Sequence, residues 1–288
     1  GYTALGANTT GNYNVAVGND SLSANTVGDR NVALGSFALS SFNPASNGDT
    51  FNNAVGYAAL YSNTTGVANN AMGGYALYLN TTGNSNTALG YEALYSNTTG
   101  GTNTAVGQGA LRQNTTASGN TAVGIDALRV NTTGTNNVGV GLYALRENST
   151  GYSNTAVGRR ALRYTTTGYE NVAVGSDALL LNTTGLNNVA IGHHALDACT
   201  TGNYNVGVGK DALGYVTTGN QNVSMGQQTL QVLTTGSNNT GIGNYAGLGV
   251  TTGVNNTLLG RNAGRDTSPS GNITTGSNQV CIGDNNVT

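Results

Sequence analysis

Asn171-Val172-Ala173-Val174-Gly175-Ser176-Asp177-Ala178-Leu179-Leu180-Leu181-Asn182-Thr183-Thr184-Gly185-Leu186-Asn187 is followed at once by Asn188-Val189-Ala190-Ile191-Gly192, the same pattern begun again 17 residues on. Outward from this stretch the unit N-[TV]-A-V-G-x-x-A-L-x-x-N-T-T-G-x-N fills the chain. Its first glycine falls at Gly18, Gly35, Gly56, Gly73, Gly90, Gly107, Gly124, Gly141, Gly158, Gly175, Gly192, Gly209, Gly226, Gly243, Gly260 and Gly283. The period slips twice, by four residues around Asn43-Pro44-Ala45-Ser46 and by six around Ser268-Pro269-Ser270-Gly271, and both prolines of the chain sit there. A fixed period of this length is the signature of a repeat architecture in which each unit stacks on its neighbours.

Asn171–Val174 reads as a short strand between a glycine turn and a Thr-Thr-Gly turn. A helix is excluded, because Gly, Asn, Thr and Val crowd the unit and no apolar helical spacing survives two breaks per repeat. The fold class is therefore all-β, a parallel β-solenoid or β-roll of 17-residue coils with two short strands to a coil. Alternation along a strand puts Val172 and Val174 on one face and Ala173 on the other. The Val pair and the Leu are expected to fill the coil. The small third column (Ala105, Gly139, Gly207, Ser224) is expected to face outward, against a neighbouring chain packed along an axis. Asn14, Asn31, Asn86, Asn103 and Asn120 open successive units, a column suited to stacked amide ladders, whereas the last unit opens with Gln279. The glycine closing each strand predicts a turn with positive φ. By domain, residues 1–266 form the array, with the insertion near 43–48, and 267–288 hold an irregular insertion plus the last repeat. The chain begins inside a unit, before Ala4-Leu5, and ends at Asp284–Thr288, so it reads as a segment of a longer chain or a rod whose ends partners cover.

Composition narrows the function classes. Only 8% of residues are charged and the net charge is −2, so no basic surface exists for nucleic acid. At 37% hydrophobic the chain is no disordered polymer. No apolar run reaches 18 residues, which argues against membrane insertion in this segment, and Gly1-Tyr2-Thr3 shows no signal peptide. Cys199 and Cys281 are too isolated for a disulfide framework and read as structural, Cys281 in the small core column.

The unit resembles the N-[ST]-[VA]-[AV]-[IVL]-G repeat of YadA-like heads of trimeric autotransporter adhesins. It is closer still to the N-T-A-V-G-x-x-A-L-x-x-N-T-T-G arrays of tail-fibre and endosialidase-chaperone proteins. The resemblance covers essentially the whole chain, although the adhesin unit is shorter. It implies a left-handed roll, a homotrimeric rod, an extracellular, cell-surface or virion-surface location, and attachment as the function.

Site candidates are few. Tyr61, Tyr78 and Tyr95, then Arg112, Arg129, Arg146 and Arg163, lie one repeat apart in the position after Leu, a stripe suited to glycans or anions unless it only covers neighbouring apolar surface. Asn63, Asn80, Asn97, Asn131 and Asn182 are formal glycosylation acceptors that are equally explained as hydrogen-bonding turns. Replacement of that Asn by Cys199, Val216, Leu233 and Val250 argues against an obligatory glycan. Asp20, Glu92, Asp126, Asp177 and Asp211 supply one carboxylate per unit, which suits turns rather than calcium. His193-His194 lacks a carboxylate or Cys at ligand spacing, so no metal is expected. Gly207-Val208-Gly209-Lys210 lacks the phosphate-loop pattern, and no nucleophile stands with a base, so no cofactor and no catalysis are expected. The functions in view are a homotrimeric attachment or spacer fibre, with cell-surface glycan as partner, and a self-polymerising filament that stacks end to end. An ice-binding solenoid ranks behind both, because adjacent threonines put their hydroxyls on opposite sides.

Overall fold

A computed structural model describes residues 1–265 and 271–283, so Ser268-Pro269-Ser270 of the second insertion and the terminal 284–288 lie outside the described residues. The chain forms two compact units, Gly1–Thr150 and Gly151–Thr288, built on the same coil. In the first, Val15–Val17, Val32–Leu34, Asn53–Val55, Asn70–Met72, Thr87–Leu89, Thr104–Val106, Thr121–Val123 and Val138–Val140 pair in chain order as one parallel sheet. In the second, Thr155–Val157, Val172–Val174, Val189–Ile191, Val206–Val208, Val223–Met225, Thr240–Ile242, Thr257–Leu259 and Val280–Ile282 do the same. Each residue pairs with its counterpart one repeat on, as in Val172 with Val189. The fold is the all-β solenoid that the period predicts, and no helix occurs among the described residues.

Two expectations fail. A coil carries one strand of three residues, not two; the only other pair among the described residues is Gly28–Asp29 with Gly48–Asp49, on either side of the first insertion. The remaining sides of the coil still bond along the stack, but through turns. Thr87 N–H donates to Asn103 O at 2.8 Å in the sheet, Leu94 N–H to Ala110 O at 3.0 Å, and Thr98 N–H to Thr115 O at 2.8 Å. Backbone bonds between coils thus continue outside the sheet, through the turns.

The second failure is which strand face is inside. Ala88, Ala105, Ala122, Ala156, Ala173 and Ala190 are fully buried, while Val157 and Val174 are each 38% exposed and Ile191 41%. The small column therefore lies within the coil, and its smallness needs no second chain. A Cβ on Gly139 would meet Leu128 Cγ at 3.4 Å, and one on Gly207 would meet Leu196 Cγ at 3.2 Å. The interior is too thin for Val there, because the Leu of the Ala-Leu pair already fills it: Leu94, Leu111, Leu162 and Leu179 are all fully buried. The volume is conserved where the pattern changes. Gly247 and Gly264 replace the Leu, and Leu258 then occupies the small column between them, 3.1 Å from where a Cβ of Gly247 would stand.

The turns are strained in a regular way. Glu92, Leu94 and Thr102 have φ of 56°, 52° and 57°, and their counterparts repeat this in successive coils. Each left-handed non-glycine residue costs roughly 1–2 kcal/mol. Full burial of the Leu offsets this by about 1.5–3 kcal/mol. The strand-closing glycine is required twice over: Gly90 has φ of 139°, and a Cβ there would lie 2.6 Å from Gly107 O.

Candidate functional site

The Tyr and Arg stripe exists in the first unit but is occupied by itself. Tyr61 stacks on Tyr78 and Tyr78 on Tyr95, each at 5.2 Å between centroids and 16° between planes. Both faces of Tyr78 are therefore covered, and the Arg112 guanidinium stands 5.3 Å over the Tyr95 ring. Arg112 Nε donates to Glu92 at 2.6 Å, Arg129 Nε lies 3.5 Å from Asp126, and Arg146 pairs with Asp126 at 3.8 Å and with Glu147. The glutamate and aspartate of the turn column thus neutralise the arginines, so the stripe is neither a stacking platform for sugars nor an open anion site. Arg163, in the second unit, lies over Tyr164 at 4.9 Å.

Sequence reading missed the rings that flank this stripe. Phe37, Tyr57 and Tyr75 belong to the two positions after the strand-closing glycine, and the turn carries them beside Tyr61 and Tyr78. Residues in three columns are invisible to a search along one.

The five formal glycosylation acceptors are fully buried. Asn97 Nδ2 donates to Gly100 O at 2.9 Å and to Asn80 Oδ1 at 2.7 Å; Asn63, Asn80, Asn131 and Asn182 likewise donate to the glycine carbonyl three residues on. None of these five amides is offered to solvent in the folded coil. The adjoining threonine is similarly committed, since Thr98 Oγ1 donates to Thr115 O at 3.0 Å and Thr183 Oγ1 to Thr200 O at 3.0 Å. That removes one of the two hydroxyl rows an ice-binding face would use.

His193-His194 does gain a carboxylate, because stacking brings Asp177 from the previous coil. Ligand atoms of Asp177, His193 and His194 lie within 4.8 Å of one another, and His194 Nδ1 is 3.1 Å from Asp197. Spacing in sequence could not show this, since the two residues stand one repeat apart. Asp177 is nonetheless taken: Arg160 Nε and Nη2 donate to its two oxygens at 2.6 and 2.9 Å, and Arg159 Nη2 donates at 3.0 Å. Burial alone would raise the Asp177 carboxyl, but hydrogen bonding and charge from Arg160, then the charge of Arg159, outweigh it and hold it below 3.8. Two guanidiniums at the carboxylate disfavour a cation, and the cluster is an ion-pair network.

What remains exposed is the outer face of each sheet. Its two columns hold only Val, Ile, Leu, Met, Thr and Asn among the described residues, with no charge. Val17 is 59% exposed, Met72 52%, Met225 45% and Ile242 43%. No protein-family profile matches the chain, and no curated protein matches it significantly.

Proposed function

We propose that the chain is a structural, non-enzymatic segment of an extracellular fibre or adhesin, whose copies pack side by side through the outer V-x-V sheet face, three around an axis as the resemblance implies. The observation that carries this is the uncharged outer sheet face, whose third-position column is apolar in every strand and which no other part of its own unit covers. Contiguous exposed apolar surface of this kind marks an association site. A second copy is the occupant that fits best, because identical coil spacing lets side chains of two copies interdigitate rung by rung without mismatch. Attachment or spacing at a cell or virion surface follows from the resemblance.

Light scattering across a dilution series tests it. A constant mass of three chains is expected, and Val174→Glu with Ile191→Glu should shift it to single chains without loss of the circular dichroism signal. A single-chain mass for the unaltered protein overturns the reading, and a mass rising with concentration replaces it by end-to-end polymerisation.

A further inference from the structure

Five aromatic rings of the first unit close a circuit. Tyr57 meets Phe37 at 5.8 Å between centroids and Tyr75 at 5.3 Å; Phe37 meets Tyr61 at 6.4 Å, Tyr61 meets Tyr78 at 5.2 Å, and Tyr78 returns to Tyr75 at 5.5 Å. Only Tyr61 and Tyr78 are parallel; the other four contacts are edge-on, at 70° to 85°. Rings meeting near right angles are the walls of a box. Within them lies an open pocket of about 230 Å3, lined by these five rings and Ala58.

The pocket has a cause in the repeat. Phe37, Ala58 and Tyr75 are successive members of one column, two places after the strand-closing glycine. Ala58 leaves a gap two rungs tall between the flanking rings, roughly 10 Å at the spacing of stacked strands.

The lining chemistry selects the occupant. No charged group and no amide lines the pocket, and the only polar atoms on its five rings are phenol oxygens. Burial, and then the neighbouring tyrosines, push the Tyr75 and Tyr78 hydroxyls up, so they stay neutral. A pyranose needs hydrogen-bonding side chains around its rim, and an anion would face the electron-rich ring faces. A primary ammonium would forfeit strong hydration for no acceptor carboxylate. A quaternary ammonium has no hydrogen bonds to lose and is held by ring faces within about 6 Å. Tyr61 and Tyr78 stack on each other and Tyr95 covers the other face of Tyr78, so the faces left for the cation are those of Phe37, Tyr57 and Tyr75, of which Tyr57 meets the other two edge-on.

We propose that the box of Phe37, Tyr57, Tyr61, Tyr75 and Tyr78 over Ala58 is a binding site for a quaternary ammonium group of the choline type. Calorimetric titration of the full chain with choline and with tetramethylammonium should show saturable binding at one site per chain. The neutral isostere 3,3-dimethylbutanol should bind at least about tenfold more weakly, since it fills the same space without the charge. Ala58→Tyr should abolish binding at an unchanged melting temperature, because the same column already carries Phe37 and Tyr75 in the same backbone conformation. Tyr57→Leu should weaken binding about tenfold and serves if the first variant does not fold. Absence of saturable binding, equal binding of the isostere, or binding retained in the variants overturns the site.

Discussion

The inner column three places after the Leu carries Asn through most of the first unit, with Phe42 as its apolar exception, but keeps it only at Asn182 among the described residues of the second. Asn63, Asn80, Asn97, Asn114 and Asn131 form a ladder, each amide donating to the oxygen of the one before, as Asn114 Nδ2 does to Asn97 Oδ1 at 2.8 Å. In the second unit Thr165 and Asn182 are followed by Cys199, Val216, Leu233 and Val250, all fully buried. The strand-opening Asn column never changes in this way. The reason is what each amide serves. Strand-opening Asn103 accepts the Asn120 backbone N–H at 3.0 Å and donates to Ala117 O at 2.9 Å, whereas the second column donates to that same carbonyl again, Asn114 to Ala117 O at 3.0 Å. The strand-opening column serves a carbonyl and also a backbone N–H, whereas the other column serves that carbonyl alone and so duplicates half of the service. A duplicate can become apolar.

The largest effect should come from removing the indispensable amide where no duplicate stands. In the second unit Asn222 is the side chain that donates to Gly236 O, at 2.9 Å, and that accepts the Asn239 N–H, at 3.0 Å, while Leu233 offers nothing in their place. Asn222→Ala therefore orphans a buried carbonyl and a buried N–H, and chemical denaturation should show a loss of about 4 kcal/mol. Asn103→Ala orphans the N–H but leaves Ala117 O held by Asn114, so about 2 kcal/mol is expected. Equal losses would break the explanation.

The outer surfaces differ too: aromatic around Tyr75 in the first unit, charged around Asp177 in the second. Asp177→Asn should cost about 1–2 kcal/mol near neutral pH, since its arginine partners are partly solvated. The sign with pH is fixed by the direction of the shift. A carboxyl held below 3.8 contributes stability that is present above that value and is lost as pH falls through the folded value. Melting curves of the two proteins should thus converge as pH falls below about 4. Asp197, which burial lifts, acts with the opposite sign and is present in both proteins.

How much of this was legible in the sequence depends on what repeats. The 17-residue period carries the coil, the strand-closing glycines and the amide ladder, because identical residues in register must meet. The inside and outside of the strand were not legible: alternation separates Val174 from Ala173 without saying which side is the interior. Hydrophobicity favours the Val, and it is volume that decides for the Ala, since Leu179 has already filled the coil. The left-handed Leu94 was equally hidden, because nothing in a leucine announces positive φ. Contacts between columns, Asp177 with His194 or Phe37 with Tyr61, need the turn geometry before their distances exist.

The smallest effects test whether an amide ladder is costly by the rung or by its end. In any such stack each oxygen is met by the next amide except the last. Asn182 Oδ1 is that last oxygen, buried without a partner, since Cys199 follows it with a thiol that burial pushes up to about 12 and that remains neutral. Asn97→Val cuts the middle of the first unit's ladder, makes a new end at Asn80 Oδ1, and should cost about 1 kcal/mol. Cys199→Asn makes no new end. Its amide meets Asn182 Oδ1, its own oxygen faces Val216, and the unmet acceptor only moves one rung along. Stability should then stay within about 0.5 kcal/mol of the parent, the scatter of an ordinary substitution. A gain near that of a full buried hydrogen bond would mean that rungs, not ends, set the energy, and the tolerance of the second unit for Val and Leu in this column would need another cause.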